Sequence, residues 1–119
     1  MTISEVSEKY GLTPDTLRYY ERIGLIPPVP RTKSGLRDYD ESSCNWIEFI
    51  KCMRGLQIEA LIEYVALYQQ GDSTIEARKN LLIEQRKDLL EKQTEIAATI
   101  DRLNYKIDNY EKICAKVIK

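Results

Sequence analysis

Histidine is absent from this chain of 119 residues, which removes the commonest general base and the commonest metal ligand together. Cysteine is scarce and odd in number. Cys44, Cys52 and Cys114 lie far apart, which argues against a disulfide framework and for a reducing cytoplasm. No run approaches the roughly 18 apolar residues that a membrane span needs. No basic-plus-apolar leader precedes the first polar segment, so neither membrane insertion nor export is expected. A glycine-rich phosphate loop and a clustered carboxylate pair are also missing, so the sequence implies no enzyme and no cofactor. The net charge of −1 gives no reason by itself to look for nucleic acid.

The distribution of charge gives one. Residues 16–37 hold Arg18, Arg22, Arg31, Lys33 and Arg37 against Glu21 alone, a net +4 on a chain whose total is negative. A basic segment on an acidic molecule is the footprint of a polyanion partner. Within it, Thr16 to Ile26 carries Arg18, Tyr19, Tyr20 and Arg22 on one helical stretch. Guanidinium groups fork onto phosphate oxygens, and a tyrosine hydroxyl donates to phosphate while its ring covers sugar or base. Leu17, Tyr20 and Ile23 fall at helical spacing and anchor one face. Arg18 and Arg22, four apart, share another.

The flanks extend the pattern. Thr2 and Glu5 form a capping box that starts a helix ending near Gly11. Thr13 and Pro14 start a second helix, with Gly24 as its C-terminal stop. Two short helices around a glycine turn read as a helix-turn-helix, in which the second helix enters the major groove. Prolines 27, 28 and 30 end helical structure. The turn pair Ser34 and Gly35 then predicts a small hairpin, a wing with Arg31, Lys33 and Arg37 on or beside its tip. Asp40 caps a third helix over 41–54 with Trp46, Phe49, Ile50 and Met53 as its buried stripe. A fourth, over 58–69, carries Ile58, Leu61, Ile62, Val65 and Tyr68, and Gly71 closes it.

Ser73 and Glu76 suggest another capping box, opening a last helix that runs unbroken to about residue 117. Ile75, Leu82, Leu89, Ile96, Leu103, Tyr110 and Val117 recur every seven residues. The companion seam is uneven: Lys79, Arg86 and Gln93 early, Ile100, Ile107 and Cys114 late. Ile83, Leu90 and Ala97 widen the stripe in its first half. A sustained heptad predicts a coiled coil. At about 1.5 Å per residue the helix is some 65 Å long, more than one small chain can cover, so a second copy is expected.

The run TISEVSEKYGLTPDTLRYYERIGLIPP at 2–28, followed by Arg31, Ser34, Gly35, Arg37 and Tyr39, resembles the MerR family of bacterial transcription regulators. The resemblance extends over the full length. It implies a mainly α fold: a winged helix-turn-helix DNA-binding head at 1–70, then a long antiparallel coiled-coil dimerisation helix at 71–119. It implies a cytoplasmic homodimer joined through residues 74–117. Such a dimer binds a double-stranded promoter with an overlong spacer and distorts it so that RNA polymerase can use it. By resemblance Arg18, Tyr20 and Arg37 hold phosphates, Thr16 and Tyr19 lie near backbone and base edges, and Tyr39 braces the wing. Arg22 and Lys33 complete the expected DNA-binding set. The sequence departs from the family at Leu36, where many relatives have an aromatic residue, and at 53–58, which is shorter than the family norm.

Metal-sensing relatives place cysteines near the start of the long helix and in a loop after it. Here Ser73 and Thr74 stand at the start and Cys114 stands alone. A lone thiol cannot supply the ligands a soft metal wants, so no metal site is expected. Drug-sensing relatives carry a further ligand domain, and none follows here. The stretch from Trp46 to Gln70 is similar to a subgroup without an effector domain, associated with aldehyde, nitrosative and other electrophile stress. That similarity implies Cys52 as the sensing thiol. The residues alone leave two readings open. Cys52 lies between Lys51 and Arg54, where cations favour a thiolate, yet a cysteine beside Phe49 and Met53 also reads as core filling. Cys44, in the first turn of a helix, is a competitor. Cys114, on the seam, reads as packing.

Overall fold

The computed structural model describes residues 1–118, with side chains through Ala115; Lys119 and the side chain of Val117 lie outside the described residues. It is mainly helical. Helix α1 (Ile3–Tyr10) starts on the expected capping box: Glu5 N–H donates to Thr2 Oγ1 at 3.2 Å, and Thr2 N–H donates to Glu5 Oε1 at 2.9 Å. Gly11 ends it at φ 66, a left-handed conformation that glycine adopts without penalty. Helix α2 (Pro14–Ile23) starts where Thr13 Oγ1 accepts from Thr16 N–H at 3.1 Å, and Gly24 ends it at φ 83.

The wing follows. Arg31 and Arg37 pair as an isolated antiparallel bridge. Thr32 N–H donates to Leu36 O at 2.7 Å and Asp38 N–H to Pro30 O at 2.8 Å, with Gly35 at φ 88 in the turn. Beyond the wing, Tyr39 and Met1 exchange two hydrogen bonds of 2.8 Å through their main chains.

Helix α3 (Glu41–Cys52) starts at Asp40, whose Oδ1 accepts from Ser43 N–H at 2.8 Å. It ends two residues before the expected 54, because Met53 leaves the helical conformation. Its buried positions also differ from the expected stripe. Cys44, Ile47 and Ile50 are buried, whereas Trp46, Phe49 and Met53 are half-buried. The helix has two packing partners. One face joins the core of α1 and α2, while Trp46 packs edge-on and Phe49 tilted against Tyr64 of helix α4 (Ile58–Gln69). In α4, Ala60, Leu61 and Val65 are buried, but Ile58 and Tyr68, expected inside, are exposed at the helix ends. Val6, Leu17, Ile26 and Ile47 are essentially without solvent contact. Each such side chain stabilises the head by roughly 1.5–3 kcal/mol relative to exposure.

Gly71 stands outside α4 and precedes a 3-10 turn, Asp72–Thr74. The capping box expected from Ser73 gives way to Thr74, whose hydroxyl donates to Leu67 O at 2.6 Å and lies 2.8 Å from Gly71 O. Helix α5 (Ile75–Asp108) follows. The expected unbroken helix is interrupted at Asn109, and a separate α6 (Tyr110–Ile118) continues. Asn109 sends both its backbone N–H, at 3.1 Å, and its side-chain amide, at 2.9 Å, to Tyr105 O. The helical backbone bonds therefore continue across the interruption, with Ile113 N–H donating to Asn109 O at 2.9 Å. The chain forms two compact units, Met1–Gln85 and Arg86 onward. No residue of α5 is buried, and Leu89, Leu90, Ile96, Ile100, Leu103 and Ile107 are all exposed.

Candidate nucleic-acid interface

Helix α2 buries Leu17 completely and turns its other faces outward. Thr16 is half-buried, with its hydroxyl 2.8 Å from Thr13 Oγ1. Arg18 is exposed and reaches Asp15 at 2.8 Å, an exposed pair on one helix that contributes little stability. Tyr19 is 42% exposed, and the Arg22 guanidinium lies 5.3 Å from its ring centroid. This cation–π contact holds both groups extended on the surface. Tyr20 is half-buried and packs against the core, so its ring anchors the helix.

The wing adds three cations. Lys33 and Leu36 are exposed at its tip, with Leu36 68% accessible. Arg37 is largely covered and donates from Nε to Glu21 Oε1 at 2.8 Å. Arg31 lies 3.8 Å from the same oxygen. The other Glu21 oxygen accepts the Val29 backbone N–H at 2.8 Å. Burial alone would raise the Glu21 carboxyl; the Val29 N–H and the Arg37 and Arg31 guanidinium groups outweigh it and hold it below the usual range. A cleft of about 240 Å³ opens between α2 and the wing, lined by Arg18, Arg31 and Arg37 together with Met1, Thr2, Leu36 and Asp38, whose carboxylate pairs with the Met1 ammonium at 3.2 Å. The cations around this open hollow outnumber its one lining carboxylate, which favours an anion.

Tyr39 is only 1% exposed, so it supports the wing from within and presents no surface to a ligand. Its hydroxyl is buried with no hydrogen-bond partner among the described residues, and burial pushes its pKa up. A residue that sequence reasoning gave no role, Glu21, proves central to the wing; the signal was a single acid in a run of cations. Arg54 was noted only as a neighbour of Cys52, yet it lines a hollow of about 190 Å³ together with Tyr19, Tyr20 and Ile58.

The three thiols sit in different surroundings. Cys44 is buried, Cys52 exposed and Cys114 half-buried. Burial, and then Cys44 nearby, push the Tyr10 hydroxyl up to about 12. Lys51, expected to favour a Cys52 thiolate, donates instead to Tyr10 O at 2.6 Å. Among the described residues no group of three or more histidine, cysteine, aspartate or glutamate side chains is placed to hold a metal ion. No described helix is long and apolar enough to cross a membrane.

Comparison with known proteins agrees with this geometry. A family model described as MerR family regulatory protein matches residues 2–39, the helix-turn-helix and wing. The HTH-type transcriptional regulator AdhR of Bacillus subtilis (strain 168) is 62% identical over 93 residues, which cover 76% of this chain and 66% of that protein. An uncharacterized HTH-type transcriptional regulator of Haemophilus influenzae is 30% identical over 93% of this chain and 84% of its own length. Among solved structures, a MerR family regulator from Listeria monocytogenes superposes with a TM-score of 0.87 at 50% identity, covering 93% of this chain and 86% of that one. HiNmlR, a MerR family regulator lacking the sensor domain and solved bound to promoter DNA, gives 0.79 at 30% identity, covering 96% and 92%.

Proposed function

The chain belongs to the MerR family of DNA-binding transcriptional regulators, and from that premise we propose how it acts. It works in the cytoplasm as a homodimer on double-stranded promoter DNA. Residues 1–70 grip the duplex, and residues 71–119 join the two copies, chiefly through 74–117. Helix α2 enters the major groove with Thr16 and Tyr19 near base edges and backbone. Arg18, Arg22, Lys33 and Arg37 take phosphates, Tyr20 anchors the helix by its ring and offers its hydroxyl to phosphate, and Tyr39 holds the wing in place. The dimer twists and kinks an overlong promoter spacer so that RNA polymerase can engage both promoter elements.

The observation that carries the DNA reading is the convergence of Arg18, Arg31 and Arg37 on one cleft beside the exposed Tyr19 and Arg22. Replacing Arg18 by Ala should weaken binding to every duplex and make it less salt-dependent, since one fewer counterion is released. Fluorescence anisotropy across a salt series measures both. Parent-like affinity in that variant would remove Arg18 from the interface.

The inducing signal is an aldehyde or other electrophile, sensed at Cys52. Its exposure at the end of α3 supports this reading. The thiolate adds to an aldehyde carbonyl carbon, and the oxygen takes a proton from water, giving a hemithioacetal on the protein. Bulk added there strains the turn that leads from α3 into α4.

A further inference from the structure

The single acid in the basic segment sits where a DNA-binding surface should avoid one. Glu21 lies on α2, the helix that carries Arg18 and Arg22, and its negative charge opposes phosphate. Yet its side chain is only 14% exposed, and both of its oxygens are used. Oε2 accepts the main-chain N–H of Val29 on the way into the wing, and Oε1 accepts Arg37 Nε on the way out, with Arg31 behind. One carboxylate therefore ties both arms of the wing to the recognition helix. It takes Arg37 through Nε and leaves the two terminal nitrogens with no hydrogen bond to any described residue. Those terminal nitrogens are the pair that forks onto a phosphate.

We propose that Glu21 is a positioning residue for DNA recognition: it sets the wing against α2 and aims Arg37 at the backbone. The proposal rests on the reading of Arg37 as a phosphate contact. Its cost is one repulsive charge, and its return is a guanidinium already ordered before DNA arrives. Register on the duplex is the property it controls, because phosphate contacts place the protein and base contacts then discriminate.

Charge and position make opposite predictions, which allows a test. The full chain is measured by fluorescence anisotropy against a duplex selected by the parent protein from a random pool, and against a scrambled duplex of the same composition. Glu21→Gln deletes the charge and keeps the size. The expected result is at least a tenfold loss on the selected duplex, with scrambled-duplex affinity unchanged or raised. The slope of log K against log salt should become shallower by about one, as for a lost phosphate contact. In an Arg37→Ala background Glu21→Gln should add less than a twofold loss, because the two residues act as one unit. Glu21→Asp, which keeps the charge but is one methylene shorter, should fall between the parent and Glu21→Gln.

Equal or tighter binding of folded Glu21→Gln to both duplexes, with the parent salt slope, overturns the proposal. So does a full additive loss in the Arg37→Ala background. Parent-like binding by Arg37→Ala itself would remove the underlying phosphate contact and the proposal with it. Weak Arg37→Ala with parent-like Glu21→Gln would remove Glu21 alone. If Glu21→Gln gives no folded circular dichroism spectrum, the decision passes to Glu21→Asp, where parent-like affinity and slope overturn the assignment.

Discussion

Cys52 ends α3 exposed to solvent, whereas Cys44 lies buried in the first turn of the same helix beside Tyr10. An electrophile reaches the first without unfolding anything and reaches the second only through an opening of the core. Cys52→Ser should therefore bind promoter DNA within about twofold of the parent, a difference well under 1.4 kcal/mol, and lose induction by formaldehyde in a reporter strain. An unchanged response would transfer the role to another residue. At this scale the sequence supplied the residue types and the structure supplied their neighbours. Lys51 reads as a partner for Cys52 until its ammonium is found on the Tyr10 carbonyl, 41 positions away. Tyr39 reads only as a brace for the wing by resemblance, and the structure adds that it lies in the core. Glu21 reads as a stray charge until both arms of the wing are found on it.

Among the elements, the starts of α1, α2 and α3 and the glycine stops of α1 and α2 were legible because their causes are local. Thr2, Thr13 and Asp40 each reach a backbone N–H three residues on. Gly24 shows how firm such a signal is. It sits at φ 83, and a Cβ there would meet nothing closer than Ile62 Cγ2 at 3.7 Å, an ordinary contact. Space is available, so the penalty of Gly24→Ala is conformational, and the variant should lose about 1–2 kcal/mol of stability. Urea unfolding measures it as a lower midpoint at an unchanged slope; a parent-like midpoint would show that the stop tolerates any residue. The features that escaped sequence reasoning have non-local or competing causes. Trp46 and Phe49 leave the expected stripe of α3 because α4 offers Tyr64 to pack on. Thr74 displaces Ser73 because Leu67 O lies within reach of its hydroxyl. A single residue, Asn109, separates α5 from α6, although the seven-residue repeat runs straight past it and its backbone N–H still reaches Tyr105 O.

For the molecule as a whole, the apolar residues of α5 are the open account. Ile96, Ile100, Leu103 and Ile107 are all exposed, and leaving so many apolar side chains wet is unfavourable by about 25 cal/mol per Å². In the proposed homodimer a second copy laid along them would remove that surface from water. Sedimentation of the parent should give a dimer at micromolar concentration. Ile96→Lys should shift it toward the monomer and lower promoter affinity by tenfold or more, about 1.4 kcal/mol; a stable Ile96→Lys dimer would mean that pairing uses another surface. The seam was legible as a period in the sequence, and its length led to the expectation of a second copy as its mate, which this sedimentation test decides. The row of uncovered aliphatic side chains also bears on dosage. Where single chains predominate, the amount of the gripping species grows with the square of their abundance. Under that condition a twofold change in synthesis would alter the amount of the proposed dimer nearly fourfold and, at low occupancy, the fraction of promoter it holds.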